Sequence, residues 1–193
     1  MNYLEQAYKK RKASKKVDYN LPLMDFICWC YVYLTPAKYG YHLQQYICHI
    51  KLKLQEVDKN LGLGDFYFAL STGEFKSTYL SEGNSYSLLH LREWQPFKYY
   101  MFCFIDSDNN FTPEFYIILK KDFERLKLDY MNGIKDDNKN NRAREKRISV
   151  KKNSADHLYL KKKNLLKSTS FEDLEEYINN NRFKFWDKQI KRK

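Results

Sequence analysis

The sequence predicts a protein of the α/β class, in the broad sense that includes α+β, with helices and strands interspersed along a single domain, residues 1–193. Three observations support this fold class. Residues 38–59 carry apolar side chains at helical spacing, residues 64–78 alternate as a pair of short strands, and residues 99–105 form an apolar run typical of a strand buried on both faces. A chain of this length can bury one substantial core.

Composition indicates a globular protein with an anionic partner. Apolar residues make up 43% of the chain, which has 17 tyrosines and 13 phenylalanines, so an intrinsically disordered protein is excluded. The formal net charge is +11 and the pI is about 9.3. Nucleic acid is the simplest anionic partner, and an anionic membrane surface is the weaker alternative. The four cysteines lack zinc-site spacing, so a reducing, cytoplasmic location is expected.

Residues 21–34 form the one candidate membrane or targeting segment. The apolar run is about a dozen residues and is interrupted by Asp25, whereas a bilayer needs roughly 20. We therefore predict a buried element and no membrane partner. A helix is favoured by Pro22 at its start, although periodicity alone leaves a strand open.

The segment 38–59 is predicted to be one amphipathic helix. Its apolar stripe, with spacings of four, three and four, is Leu43, Ile47, Ile50 and Leu54. Residues 86–91 fit a short strand or a helical turn, 115–119 fit a strand, and 121–130 fit a surface helix. A capping-box pattern, Thr169-Ser170-Phe171-Glu172, predicts a helix that runs through Ile178 and is stopped by 179–181.

The hairpin of residues 64–78 is the stretch with most chemical content. Phe66, Phe68 and Leu70 alternate as in a half-buried strand, and Ser71-Thr72-Gly73 has turn chemistry. A tight turn centred near Thr72 would set Asp65 opposite about Tyr79. If Asp65 is to approach Glu74, we therefore expect either that the strands bend or diverge or that Asp65 lies at a strand end that crosses back.

Glu74 and Lys76 are two residues apart in the second strand, so their side chains share one face while Phe75 points to the other. Carboxylates are the hard oxygen ligands that Mg²⁺ prefers, and a neighbouring cation can position an attacking water. Asp65 and Glu74 are thus candidate metal ligands, the carbonyl of Phe75 is a plausible third, and Lys76 is a candidate partner of the water. Without a further pattern, a strand-ending aspartate and a solvated edge pair are the better interpretation of these residues.

Three segments are strongly basic: an N-terminal arm (1–20), an asparagine-rich loop (132–153) with a short strand core at 148–150, and a C-terminal tail (182–193). Asn and Arg are the residue types that contact adenine and guanine edges. The candidate DNA contacts in the loop are Asn138, Asn140, Asn141, Arg142 and Arg144. A mobile solvated loop is an interpretation of comparable weight.

The pattern Asp65 followed by Glu74-x-Lys76, after a helix, resembles the PD-(D/E)xK nuclease superfamily. The run 39–150 is more closely similar to small type II restriction endonucleases, over more than half the chain. The similarity rests on Tyr39-Gly40, Gly64-Asp65, Glu74-Phe75-Lys76-Ser77, Leu91-Arg92-x-Trp94-Gln95, Tyr99-Tyr100, residues 115–120 and the asparagine-rich stretch.

The resemblance implies a mixed central β-sheet flanked by helices and a Mg²⁺-dependent homodimer that hydrolyses double-stranded DNA at a specific site. It implies Asp65, Glu74 and Lys76 as the catalytic set, with Ser77 and Arg92 as DNA contacts. For Arg92 and Gln95, a surface position around a Trp94 that anchors the core is an equally ordinary interpretation. Gln44 or Gln45 stands where such enzymes often carry a supporting acid, and Gln95 is a further candidate near the site. Gly64 replaces the usual proline of the motif.

Two alternatives belong beside this hypothesis. The chain could be a non-catalytic nucleic-acid-binding protein that uses its basic surface for phosphates and its tyrosines and phenylalanines for stacking. It could also be a repair or structure-specific nuclease of the same superfamily. Cleavage of a long plasmid separates these possibilities.

Overall fold

The computed structural model describes residues 16–130 and 145–182. Within them the strands are β1 (Phe66–Phe68), β2 (Ser71–Tyr79), β3 (Ser85–Leu91), β4 (Tyr99–Asp106), β5 (Thr112–Leu119), β6 (Asp129–Tyr130) and β7 (Lys146–Lys151). The α-helices are α1 (Leu23–Tyr33), α2 (Pro36–Gln44), α3 (Lys120–Phe123), α4 (Ala155–Lys163) and α5 (Phe171–Arg182). A π-helical segment, Gln45–Lys51, continues α2, and a 3₁₀ turn spans Lys59–Leu61.

The strands form two sheets. The main sheet has the order β1-β2-β4-β5, in which β2 and β4 are parallel and the other neighbours are antiparallel. The second sheet has the order β3-β7-β6 and is antiparallel. The predicted α/β class, with a mixed sheet flanked by helices, is confirmed.

The main sheet separates two apolar cores, because alternate residues of each strand face opposite sides. Met101 and Cys103 of β4 face the core built with α1, α2 and α5, whereas Phe102 and Phe104 face the core built with the second sheet and α4. Every residue of β4 is buried, as its unbroken apolar run predicts. In the described part of the chain, no helix has the length and apolarity needed to span a bilayer.

The predicted helix over 38–59 is wrong in its second half. The helix widens into π-helical turns, in which the N–H of Leu52 donates to the carbonyl of Ile47 at 2.9 Å, and the helical structure then ends. This widening rotates the apolar stripe, so Ile50 is 42% exposed although Ile47 is buried. Glu56 then forms a β-bridge with Phe66, so the segment that follows the π-helical turns lies alongside β1.

Other elements differ from the sequence prediction in extent. The predicted surface helix 121–130 is shortened to α3. The end of the predicted segment instead belongs to β6, in which Tyr130 pairs with Lys146. Residues 86–91 belong to strand β3, and the strand core 148–150 lies within the longer β7. Helix α4 and the second sheet were not predicted. The run 21–34 contains helix α1, but the prediction of a buried element holds for one side of it only: Phe26, Ile27, Cys30 and Val32 are buried, whereas Met24, Asp25 and Tyr31 are exposed.

Helix α5 begins one residue later than the predicted capping box. The Ser170 hydroxyl accepts from the N–H of Asp173 at 3.1 Å, so the capping pair is Ser170 with Asp173 rather than Thr169 with Glu172. The helix also continues to Arg182, past the asparagines at 179–181 that were predicted to stop it. Residues 1–15, 131–144 and 183–193, which hold most of the three predicted basic segments, lie outside the described residues.

Candidate active site

The β1–β2 turn is formed by Ala69 and Leu70, with φ of 44° and 65°. Phe66 pairs with Gly73 and Phe68 with Ser71, so the prediction of a turn at 71–73 is wrong. The physical reason is packing across the hairpin: a Cβ on Gly73 would lie 2.4 Å from the Phe66 ring. Gly73 is therefore needed as a cross-strand partner beneath that ring, and its glycine character does not mark the turn.

This register brings Asp65 to the position opposite Glu74. The N–H of Asp65 donates to the carbonyl of Gly73 at 2.7 Å, and Asp65 Oδ2 accepts from the N–H of Phe75 at 2.8 Å. The expectation that Asp65 would face Tyr79 unless the strands bend is therefore wrong. The two carboxylates are juxtaposed by the hairpin itself.

Glu74 and Lys76 share one face of β2, as the strand period predicts. Lys76 Nζ lies 2.6 Å from Glu74 Oε1. Glu74 is 1% exposed, whereas the side chain of Lys76 retains 18% exposure. The ring of Phe75 points to the opposite face and is buried in the core with α1 and α2. A nearly buried carboxylate of this kind requires a cation beside it, and Lys76 supplies that charge.

The protonation of Asp65 is strongly perturbed. Burial and then the negative charge of Glu74 raise the pKa of Asp65 to about 7, against the opposing charges of Lys76 and Arg92 and the hydrogen bond from Phe75. The negative charge of Glu74 therefore opposes the ionisation of Asp65. A divalent cation between them would relieve that repulsion.

Asp65 and Glu74 line a cleft of about 590 Å³. Its walls come from α2, through Tyr41 and Gln44, and from β3, through Leu89 and His90. The floor is the edge of β2, where the hydroxyl of Ser77 is buried without a hydrogen-bond partner among the described residues. The cleft is the one place in the described chain where the predicted carboxylates meet open space.

The predicted supporting residues divide into two groups. Gln44, Ser77 and Arg92 line the cleft with the carboxylate pair. Neither Gln45 nor Gln95 lines the cleft. Gln45 Nε2 instead lies 3.5 Å from Glu56 Oε1, and the backbone carbonyl of Gln95 accepts a hydrogen bond from Lys120 Nζ at 2.7 Å. The candidate contacts Asn138, Asn140, Asn141, Arg142 and Arg144 lie outside the described residues.

Sequence reasoning missed two residues at this site, His90 and Glu145. Glu145 accepts from His90 Nδ1 at 2.5 Å and from Arg92 Nε at 2.9 Å, and both of these partners line the cleft. More than fifty positions separate Glu145 from its partners, so no local spacing could have revealed the cluster. The pairing of β3 with β7 creates it.

The residues at the cleft fit Mg²⁺ better than a metal caged entirely by protein. In the described part of the chain there is no group of three or more His, Cys, Asp or Glu side chains suited to holding a metal. Mg²⁺, however, keeps several waters and is commonly bound by one or two carboxylates. The N–H and carbonyl of a strand residue point to the same side, so the Phe75 carbonyl faces the same edge as Asp65 and could serve as a third oxygen ligand.

Comparison with known proteins identified no relative of this chain. No protein-family model, curated protein or solved structure matches this chain.

Proposed function

We propose that this protein is a Mg²⁺-dependent nuclease that hydrolyses phosphodiester bonds of double-stranded DNA, as a type II restriction endonuclease does. One observation carries the proposal: the hairpin register sets Asp65 opposite Glu74 at the edge of an open cleft, with Lys76 bonded to Glu74. These are the residues that the PD-(D/E)xK pattern requires. The net charge of +11 supports a polyanionic substrate.

Each residue has a distinct part in the proposed reaction. Asp65 and Glu74 would hold the cation, with the Phe75 carbonyl as a third oxygen. A bound Mg²⁺ supplies Lewis-acid stabilisation of charge on the phosphate. Lys76 lies next to Glu74 with part of its side chain exposed to the cleft, so its ammonium can orient a water for attack on phosphorus.

The test is cleavage of supercoiled plasmid DNA with and without Mg²⁺. We expect discrete fragments from the wild-type protein with Mg²⁺ and intact plasmid with EDTA. Glu74→Gln and Lys76→Ala should each lower the cleavage rate by about 10²-fold or more while DNA binding is largely retained. Glu82→Gln is the matched control, because Glu82 is an exposed carboxylate in the turn between β2 and β3.

The fragment pattern distinguishes the alternatives. A smear would indicate a nonspecific or structure-specific nuclease of the same superfamily. An uncut plasmid that is nevertheless bound would indicate a non-catalytic nucleic-acid-binding protein. One observation favours the non-catalytic nucleic-acid-binding function. Lys76 already neutralises Glu74, so that carboxylate does not need a metal. Full cleavage by both purified variants would rule out the catalytic assignment.

A two-fold dimer and site-specific recognition are part of the proposal. Cutting both strands of a symmetric site suits two identical active sites related by two-fold symmetry. Sedimentation of the protein with and without a DNA duplex measures the number of subunits in the complex.

A further inference from the structure

Glu145 is a buried carboxylate placed beneath the wall of the cleft. It is 4% exposed, and its oxygens accept from Arg92 Nε and His90 Nδ1. Burial raises the pKa of Glu145, but the hydrogen bonds from His90 and Arg92 outweigh burial, so the pKa lies below its ordinary value. Glu145 is thus an ionised group held between two cleft residues.

A β-bulge in β3 directs both partners toward this carboxylate. Leu88 pairs with Ile148 and Leu91 with Lys146, so β3 carries one extra residue between these pairs. His90, within the bulge, has a left-handed φ of 54°. Bulges commonly re-aim side chains beside active sites, and a left-handed non-glycine residue persists where surrounding contacts impose it. The hydrogen bond to Glu145 is such a contact.

Arg92 has hydrogen-bonding capacity left over in the cleft. Its Nε is committed to Glu145, whereas its terminal nitrogens Nη1 and Nη2 have no hydrogen-bond partner among the described residues. The side chain is 40% exposed and lines the cleft with Asp65 and Glu74. A guanidinium fixed through Nε presents two parallel donors, a geometry that matches the oxygens of a phosphate.

We propose that Glu145 is a positioning residue that fixes Arg92 so that Nη1 and Nη2 bind a phosphodiester group of DNA next to the carboxylate pair. The inference rests on the proposed function for its substrate, but it concerns binding and not hydrolysis. Glu145 itself does not touch the phosphate in this arrangement. It acts through Arg92.

The sign of the effect distinguishes positioning from simple electrostatics. Removing a negative charge from a DNA-binding surface should strengthen binding if charge alone matters. If Glu145 positions Arg92, removing it should weaken binding despite the more favourable charge. A purely structural role would affect stability without this dependence on Arg92.

The experiment is a double-mutant cycle on the full chain, measured by fluorescence anisotropy with a short labelled DNA duplex in EDTA. Arg92→Ala should weaken binding about tenfold, the value of one good charged contact, and lower the salt-dependence slope by about one. Glu145→Leu should weaken binding by a similar factor, and should have no further effect when Arg92 is already alanine. Additive effects of the two substitutions would overturn the proposal.

Two further variants keep the test decisive. Glu145→Gln retains an acceptor for Arg92 Nε, so it should restore binding to near the wild-type level. Arg92→Lys keeps the charge, but a single ammonium nitrogen cannot reproduce the two parallel donors of a guanidinium held through Nε, so this variant should bind more weakly than the wild-type protein. Wild-type affinity of Arg92→Lys would overturn the proposal even if Glu145→Leu does not fold.

The chain offers a matched control beside the cluster. Glu93 forms a 2.5 Å ion pair with Lys146, so Glu93→Gln weakens an ion pair between the same two segments without touching Arg92. Its DNA affinity should not fall. If wild-type protein binds DNA but never cleaves it, the nuclease proposal fails while the cycle still decides this one. If wild-type protein does not bind the duplex, this inference fails as well.

Discussion

The Asp65 carboxylate accepts a hydrogen bond from the N–H of Phe75 at 2.8 Å, and this bond joins the residue before β1 to the middle of β2. It lies beside the backbone bond from the N–H of Asp65 to the carbonyl of Gly73, so Asp65 is tied to β2 by both its backbone and its side chain. The carboxylate is thereby fixed next to Glu74, the neighbour of Phe75. The acidic pair is thus a property of the hairpin and does not depend on a distant element.

The raised pKa of Asp65 predicts a pH-dependent stability in the absence of metal. Between the ordinary value of 3.8 and about 7, the folded state binds more protons at Asp65 than the unfolded state does. This group therefore lowers the free energy of unfolding as the pH rises through that range and has no further effect above it. Asp65→Asn keeps an acceptor for Phe75 and should remove the decline. Urea denaturation at about pH 5 and about pH 8 measures the difference.

Asp108→Asn is the control for that experiment, because Asp108 is an exposed carboxylate in the β4–β5 turn. Its stability should follow the wild-type pH profile. An Asp65→Asn profile parallel to that of the wild type would show that Asp65 titrates normally.

Lys76→Ala should lower the stability of the fold as well as the rate of the proposed reaction. The substitution removes the ion-pair partner of Glu74, whose side chain is 2% exposed. Because breaking a buried pair leaves an uncompensated charge, we expect the free energy of unfolding to fall by about 2–4 kcal/mol. Glu74→Gln combined with Lys76→Ala should recover most of it, since a neutral amide needs no cation.

The exposed pair between Lys59 and Glu56 provides the comparison, with side chains 72% and 44% exposed. Lys59→Ala should change the free energy of unfolding by less than about 1 kcal/mol in the same denaturation assay. Equal losses from the two lysine variants would contradict a buried role for the Lys76–Glu74 pair.

Gly64→Ala should displace Asp65. Gly64 has a φ of 107°, and a Cβ there would lie 2.6 Å from the backbone oxygen of Gly73. We expect a loss of about 2 kcal/mol or more in the free energy of unfolding. Gly83→Ala is matched to it, because the nearest atom to a Cβ on Gly83 is Ser81 Oγ at 3.8 Å. Thermal denaturation of the two variants should differ clearly; similar melting temperatures would mean that the hairpin absorbs the added methyl group.

The β1–β2 turn should accept a better turn sequence. Ala69 and Leu70 both have positive φ, as a two-residue type I′ turn requires, and Asn-Gly is the preferred pair for that turn. Leu70 is 48% exposed, so little burial is lost. Ala69→Asn with Leu70→Gly should raise the free energy of unfolding by about 1 kcal/mol, as measured by urea denaturation. Destabilisation would indicate that the replaced side chains have a packing role, as Ala69 does by contacting the core that includes Phe66 and Phe68.

The two-residue period of strand side chains and the apolar runs were sufficient to predict the features that lie within one element. The shared face of Glu74 and Lys76 follows from the two-residue strand period, and the burial of β4 follows from its unbroken apolar run. These features depend on neighbours along the chain. They could therefore be predicted from residues alone.

The features that were mispredicted depend on contacts between elements. Gly73 has turn composition, but it is a strand residue because the Phe66 ring lies over it. The helix after Gln44 widens into π-helical turns in which Ile50 is exposed, and the chain then pairs with β1 through Glu56. Glu145 reaches Arg92 through the pairing of β3 with β7. No window of sequence contains these partners together.

The two-residue turn also fixes the length of the motif. Glu74 follows Asp65 by nine positions, a separation made of β1, the turn and the return along β2. If the turn keeps two residues, an insertion of one residue in β1, or in β2 before Glu74, would set Asp65 opposite a residue whose side chain lies on the other face of the sheet, since strand side chains alternate. A homologue with the same two-residue turn must therefore keep this interval, or change it in compensating steps, to keep the acidic pair. The interval is as diagnostic for recognising such homologues as the acidic residues themselves.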